Sequence, residues 1–483
     1  MLLNISKKTK IVCTIGPASD NYETFLELIK AGMNVMRLNF SHGTYDEQKA
    51  KMDLAHRVER EQGVFIPVML DTKGPEIRCQ FFENGGVQVE RNQVIRVSMK
   101  EVLGTKEKFS ISYPGLYDDV KVNDHLKIDD GNLDLLIEKK DATNRELVCR
   151  AMNTHFLKNR KGVNAPFARL SMPFISANDE ADLKFGCENN VDLIAASFTR
   201  RAQDVLDIKA VLAKYGKPNM PVIAKIENPE GIDELDAIIA VADGIMVARG
   251  DLGVEVPAEM VPVYQEKIIQ KCRIEGKPVI TATQMLDSMQ THPRPTRAEV
   301  SDVANAIRQS TDAVMLSAES ASGEYPIEAT AMQAKIAMTM ENYLDYKSLA
   351  EEAYNSSHKN NSDAIANSVA NTANLIGARL IFCFTETGKS ARRLAKARPN
   401  APIIVITHRR DTALQLGLVW GIQTILITHM PQFIEDMEAL SLIKSHDLGI
   451  EPGSPIIITG GTPTGSGKTN FMRIVNLYKI KDI

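Results

Sequence analysis

Eight short apolar runs recur along the first part of the chain, each closing in polar or glycine-bearing residues. They are KIVCTIGPA (10–18), NVMRLNFSHG (34–43), VFIPVMLDTKGPEIR (64–78), VDLIAASFTR (191–200), PVIAKIENPEG (221–231), GIMVARGDLG (244–253), KPVITATQML (277–286) and DAVMLSAES (312–320). Runs that stay apolar at every position suit strands of a parallel sheet covered on both faces. Between most of them lie amphipathic stretches of helical length, such as 22–31, 203–215 and 260–275. Eight strands alternating with helices predict an α/β fold of the (β/α)8 TIM barrel type.

The alternation breaks once. Between the third and fourth runs, GGVQVERNQVIRVSM and YDDVKVNDHLKIDDGNLDLLIEKK alternate with period two and carry Asn-Asp and Asp-Gly turns. This pattern predicts an inserted small β-barrel domain. After the eighth run a long helical stretch (327–354) leads to a polar patch, NSSHKNNSD (355–363), read as a surface linker. Four further strand cores follow, at 379–386, 402–408, 422–429 and 454–461, and predict a C-terminal α/β domain. The expected division is barrel 1–74, insertion 75–170, barrel 171–350 and C-terminal domain 351–483.

Composition narrows the partners. A net charge of −4 over 483 residues argues against nucleic acid, which demands a concentrated basic face. Six scattered cysteines without a C-x-x-C pair fit a reducing, cytoplasmic setting better than a disulfide framework. The first ten residues hold no apolar h-region. The uncharged stretch beginning at Thr412 is broken by glutamines, glycines and a proline, so no membrane association is expected.

Barrel chemistry gathers at the C-terminal ends of the strands. Six runs end in residues suited to phosphate and cations: Arg37, Asn39, Ser41 and His42; Asp71, Thr72, Lys73 and Arg78; Lys225 and Glu227; Arg249 and Asp251; Thr281 and Thr283; Ser317 and Glu319. Lys225 and Glu227 are two apart in a strand and share one face. Charges at an apolar rim are costly unless paired or metal-bound, so this pair reads either as a buried ion pair or as part of a metal site. Asp251 on the next strand supplies a second carboxylate, enough with Glu227 to hold Mg²⁺ with positions open for substrate oxygens. Gly250 lets a ligand approach the backbone. A metal, a lysine and an arginine are the parts that phosphoryl transfer needs. Asn39, Ser41, Asp71 and Thr72 form a weaker field that suits a monovalent cation, or else a hydrogen-bond network that orients Arg37.

Two other signals carry less. GGTPTGSGKT (460–469) approaches a P-loop, but Thr462 stands where the pattern needs glycine, and only 14 residues follow Thr469. Its backbone could still cradle a phosphate. Cys272 and Cys383 have no local histidine or motif and read as core residues.

At these residues the chain resembles the pyruvate kinase family. The motifs are TKIVCTIGPAS (9–19), MRLNFSHG (36–43), LDTKGPEIR (70–78), KGVN (161–164), PVIAKIENPEGI (221–232), IMVARGDLGVE (245–255), TATQMLDSM (281–289), PRPTRAEVSDVANA (293–306) and MLSAESASGEYP (315–326). The resemblance implies transfer of phosphate from phosphoenolpyruvate to ADP, giving pyruvate and ATP at the last step of glycolysis, with Mg²⁺ (or Mn²⁺) and K⁺ as cofactors. It implies that Lys225, Arg37 and Thr283 are catalytic and that Gly250 and Asp251 join them in holding substrate. It also implies Mg²⁺ on Glu227 and Asp251, K⁺ on Asn39, Ser41, Asp71 and Thr72, and nucleotide contacts from Asn39, Phe40, Ser41, His42, Arg78 and Lys161. The inserted domain would be a lid. Glu76 lies where the family pairs a glutamate with K⁺ dependence. TETGKS (385–390) resembles the family's effector pocket, with Thr385, Thr387, Lys389 and Ser390 around the phosphate of a sugar-phosphate or nucleotide effector, and a homotetramer is implied.

Ala318, Arg201 and Ser171 depart from the family's usual glycine, lysine and aspartate. Two rival functions share parts of this pattern. An enolate-forming aldolase or lyase barrel would keep the carboxylate metal site but need no nucleotide contacts, and a sensing protein that had kept only the fold would not need Lys225, Glu227, Asp251 and Thr283.

Overall fold

In the computed structural model the described residues are 5–358, 360–462 and 469–478. Eight parallel strands close a barrel: β1 (Lys10–Thr14), β2 (Val35–Asn39), β3 (Val68–Asp71), β4 (Leu193–Ala196), β5 (Val222–Ile226), β6 (Gly244–Ala248), β7 (Val279–Ala282) and β8 (Ala313–Leu316). Each pairs with its neighbours in sequence, and β1 closes the ring against β8. The runs lack alternation because both faces are buried. Val12, Val35, Met69, Ile223, Met246 and Met315 fill the interior, while Ile11, Cys13, Leu38, Leu70 and Ala224 pack against the surrounding helices. Period two then carries Arg37, Asp71 and Lys225 inward at the strand ends.

The helices begin and end where local chemistry tells them to. Thr44 and Glu47 form a capping box on Tyr45–Gln62, and Gly63 ends that helix in the left-handed region. The predicted single helix at 327–354 is two, Pro326–Glu341 and Tyr346–Asn355. The Asp345 side chain accepts from the Lys347 and Ser348 N–H groups and starts the second one afresh. The polar patch is shorter than expected for a linker: Asn360 caps Asn361–Ile376, so residues 361–363 are its first turn.

The insertion encloses one core running from Ile77 to Ala165. Its strands form a six-stranded sheet and a two-stranded ribbon, Gly86–Val89 with His155–Lys158, and isolated bridges such as Arg78 to Gly162 lie outside both. The expected Asp-Gly turn, Asp130-Gly131, links His125–Ile128 to Leu133–Asp141, with both turn residues at positive φ.

The C-terminal sheet runs β11-β10-β9-β12-β13: β9 (Leu380–Phe384), β10 (Ile403–Thr407), β11 (Ile422–Leu426), β12 (Pro455–Gly460) and β13 (Phe471–Asn476). The antiparallel edge strand β13 was not expected, because Arg473 and Asn476 interrupt FMRIVN and leave its outer face half exposed, so it does not stand out as an apolar run. This domain docks on the base of the barrel. Asp312 accepts from Arg398 Nη1 at 3.0 Å and from the Trp420 N–H at 3.1 Å, both of them buried.

Candidate active site

Asp71 ends β3 at 1 % exposure and gathers two cations at the mouth of the barrel. Arg37 Nε lies 2.6 Å from its Oδ2, and Lys225 Nζ 3.1 Å from its Oδ1. The cations are held from the other side as well: Arg37 Nη1 donates to Thr14 Oγ1 at 2.9 Å, and Lys225 Nζ donates to Ser197 Oγ at 2.6 Å. Burial alone would push the Asp71 carboxyl up, but Arg37 and Lys225 reverse this and hold it below the ordinary carboxylate range. Burial likewise depresses the Lys225 ammonium, and Asp71 and Glu227 more than restore it, so it stays charged.

Glu227, fully buried, is 3.0 Å from Lys225 Nζ through Oε1, and its Oε2 accepts the Phe198 N–H at 2.5 Å. The Oε1 approach lacks hydrogen-bond alignment, which leaves that oxygen an orphaned buried acceptor. Desolvation pushes the Glu227 carboxyl upward against the pull of Lys225, and desolvation does the same to Asp251. A buried Glu227 and a half-buried Asp251, both resisting ionisation and the former with an oxygen that accepts no hydrogen bond, fit a divalent cation. Among the described residues no set of three His, Cys, Asp or Glu side chains forms a complete metal cage, so substrate and water oxygens would fill the remaining positions.

The sequence-predicted residues divide into those the fold brings together and those it does not. Thr283 joins the site from the end of β7, its Oγ1 accepting the Gly250 N–H at 2.7 Å. Asn39 and His42 line a cavity of roughly 610 Å³ with Thr14, Pro17, Arg37 and Ser317. The Asn39 side chain accepts the Ser41 N–H, and Thr72 Oγ1 accepts the Ser197 N–H. The Phe40 N–H donates to the Asp71 carbonyl. Arg78 is forked onto Glu76 at 2.9 and 2.7 Å, and Lys161 pairs with Asp129 at 2.8 Å, so both lysine and arginine are tied to acids at the base of the inserted domain.

Three predicted mouth residues point elsewhere. Thr281 faces outward and meets Thr311 Oγ1, because period two puts it opposite Ile280 and Ala282. Arg249 turns away from the mouth toward Asp302, at 2.7 Å. Glu319, 1 % exposed, accepts the Ser317 and Leu286 N–H groups and so closes two turns. Ser197, which bridges Lys225 and Asp71 (3.0 Å to Oδ1), is the residue the sequence reading passed over. Its signal was there, since SFTR ends the fourth run as hydroxyls end the others.

In the C-terminal domain Thr385 Oγ1 accepts the Gly388 N–H, and Ser390 meets Thr469. Residues 463–468, most of the near-P-loop, lie outside the described residues. All six cysteines are free and buried; Cys272 and Cys383 sit in the core, with burial pushing their thiols up.

A (β/α)8 barrel with a buried lysine and carboxylates at its mouth, a β insertion after the third strand and a C-terminal α/β domain defines a phosphotransferase-type barrel enzyme. The family model for the pyruvate kinase barrel domain matches residues 6–330, and that for the pyruvate kinase alpha/beta domain matches 363–475. The chain is 45% identical over 471 residues to a pyruvate kinase of Geobacillus stearothermophilus, covering 97% of this chain and 80% of that one. It is 47% identical over 473 residues to a pyruvate kinase of Staphylococcus aureus (strain MRSA252), with the same shares covered. A crystal structure of a pyruvate kinase from Cryptosporidium parvum superposes with a TM-score of 0.92 at 35% identity, covering 98% of this chain and 96% of that one. The chain belongs to the pyruvate kinase family, and with it to the phosphotransferases that use phosphoenolpyruvate and ADP with a divalent metal.

Proposed function

We propose that the chain transfers the phosphoryl group of phosphoenolpyruvate to ADP, forming pyruvate and ATP as the last step of glycolysis in the cytoplasm, with Mg²⁺ and K⁺. The observation that carries this reading is the Lys225 ammonium, buried and charged between Asp71 and Glu227 at the barrel mouth. Lys225 meets the negative charge of the phosphoryl group in flight, and Arg37, fixed by Asp71 and Thr14, grips the substrate phosphate. Gly250, Asp251 and Thr283 hold the carboxylate end, and the Thr283 hydroxyl relays a proton to the enolate, taking one from water as it gives its own. Glu227 and Asp251 would hold the Mg²⁺, which when bound neutralises substrate oxygens.

K⁺ belongs to Asn39, Ser41, Asp71 and Thr72 in this reading. The nucleotide belongs to Asn39, Phe40, Ser41, His42, Arg78 and Lys161, which requires Arg78 and Lys161 to exchange their acidic partners for phosphate when the lid spanning 75–170 closes. Thr385, Thr387, Lys389 and Ser390 take the phosphate of an effector, and the chain assembles as a homotetramer.

The experiment is ADP-dependent pyruvate formation from phosphoenolpyruvate with Mg²⁺, with and without K⁺. Pyruvate should appear only with ADP, and the rate should fall sharply without K⁺, since the Glu76 carboxylate cannot replace a cation. Pyruvate without ADP would point instead to a lyase or hydrolase, and full activity in K⁺-free buffer would remove the monovalent site.

A further inference from the structure

Thr283 and Gln284 both adopt left-handed backbone, with φ of 66° and 52°. Thr283 is the one β-branched residue among the described residues at positive φ, a conformation that such side chains rarely accept. Strain of this kind persists only where surrounding contacts impose it. Here the contacts come from Arg249. Its Nε donates to the Ala282 carbonyl at 3.1 Å and its Nη2 to the Thr283 carbonyl at 2.7 Å, so one guanidinium grips two successive peptide units where β7 ends. The fork is itself held: Nη1 is 2.7 Å from Asp302 Oδ1 and 3.3 Å from Gln265 Oε1, and the Arg249 side chain is 11 % exposed. Gln265 is braced in turn by Gln309 at 2.7 Å.

The consequence is geometric. An extended residue 283 would continue the strand. The left-handed turn instead brings the Thr283 hydroxyl back across to the Gly250 N–H at 2.7 Å, beside Asp251. Gly250 and Asp251 directly follow Arg249 in the chain, so the arginine that starts this segment also sets the distance between its two halves.

We infer that the Arg249–Asp302 pair is a positioning device that holds Thr283 in its strained conformation, so that the Thr283 hydroxyl and the Gly250 amide meet substrate as one unit. The inference rests on the proposed role of Thr283. Arg249 turns away from the barrel mouth; its planar fork does what a lysine cannot, since two carbonyls and a carboxylate must be met at fixed angles.

The test is a double-mutant cycle on phosphoenolpyruvate turnover with Arg249→Lys and Thr283→Ala, repeated with Asp302→Asn in place of Arg249→Lys. Expected is a fall of about tenfold or more in kcat for Arg249→Lys, as for loss of one well-placed transition-state contact, with KM for ADP unchanged. In the Thr283→Ala background the same substitution should cost less than about twofold. Asp302→Asn, which leaves the barrel strands untouched, should repeat the pattern in a milder form and serves if the arginine variant fails to fold. Multiplicative losses in the double variant would overturn the inference, as would normal kcat in both Arg249→Lys and Asp302→Asn. Near-normal turnover in Thr283→Ala alone would instead overturn the role given to Thr283 itself.

Discussion

The Asn164 side-chain amide donates to Glu255 Oε1 at 2.7 Å, joining the end of the last strand of the insertion to the barrel helix that begins at Arg249 and carries Asp251. Beside it, a Cβ added to Gly131 would meet Val254 Cγ1 at 3.6 Å, so the tip of the Asp130-Gly131 turn rests on the same helix. Asn164 and Glu255 line a cavity of roughly 290 Å³ between insertion and barrel, together with Asp251, Asp130 and Phe167. Desolvation in this cleft pushes the Glu255 carboxyl up to about 7.

Asn164 should therefore act as a latch. Asn164→Leu leaves Glu255 without its donor, at a cost of about 1–3 kcal/mol to this packing of insertion on barrel. The expected result is faster hydrogen exchange in the insertion and a higher KM for ADP, with the unfolding temperature of the barrel nearly unchanged. Unaltered exchange across residues 75–170 would remove the latch.

Lys225→Ala should reduce turnover by at least about 10²–10³-fold, as expected when a preorganised charge leaves a dry site. Asp71 keeps Arg37, but Glu227 loses the ammonium it pairs with, so stability should fall too, by up to about 3–5 kcal/mol. Denaturant unfolding and pyruvate formation, measured on the same sample, separate the two effects. Turnover within a few fold of the parent would exclude the role given to this lysine.

Gly74 has φ +70°, and a Cβ there would stand 2.8 Å from the Ser197 carbonyl oxygen and 3.0 Å from its Cβ. Gly74→Ala should thus cost more than the ~1–2 kcal/mol of a left-handed residue alone. It should also lower kcat, because Ser197 is the hydroxyl that bridges Lys225 and Asp71. Gly63→Ala is the control: φ +65° with nothing within 4 Å, so stability alone should drop. Equal turnover in the two variants would sever Ser197 from the site.

Lys10 begins β1 at 2 % exposure with its ammonium on the Ile422 carbonyl of the C-terminal domain. Burial, with Lys7 adding repulsion against the pull of Glu341 and Asp312, lowers its pKa to about 7 from 10.5. Between those values the unfolded chain binds the proton and the native chain does not, so this group makes stability rise with pH; below about 7 its burial penalty is fully present. Lys10→Met removes the penalty, so its advantage over the parent should be greatest near pH 6. It should shrink by up to ~1.4 kcal/mol per pH unit from 7 upward. Urea titrations at pH 6, 8 and 9.5 measure this, and a pH-independent difference would contradict it.

Residues in or just beyond a strand were legible where the backbone stays extended, because their geometry is local. Period two put Lys225 and Glu227 on one face, and the same rule carried Arg37 and Asp71 inward. It failed where the backbone turns at the strand end. Thr281 and Thr283 looked equivalent, yet β7 stops at Ala282 and the backbone turns left-handed, so only Thr283 reaches the mouth. Arg249 and Glu319 looked suited to phosphate and to cations, but side-chain direction beyond a strand depends on which partner lies behind it, and each turns to one away from the mouth.

By itself, the sequence determined the eight strands, the inserted β segment, the C-terminal α/β unit and the carriers of charge, since these follow from hydrophobic period, turn residues and motif chemistry read locally. Only the tertiary structure decided which charges neutralise one another. Asp71 on Arg37 and Lys225, Arg249 on Asp302, and Arg78 on Glu76 each satisfy a charge or donor that burial would otherwise make costly, and all but the last join positions 34 or more residues apart. Lys225, Glu227 and Asp251 could be named from spacing. That the lysine stays charged while a Glu227 oxygen accepts no hydrogen bond comes from closing the barrel around them.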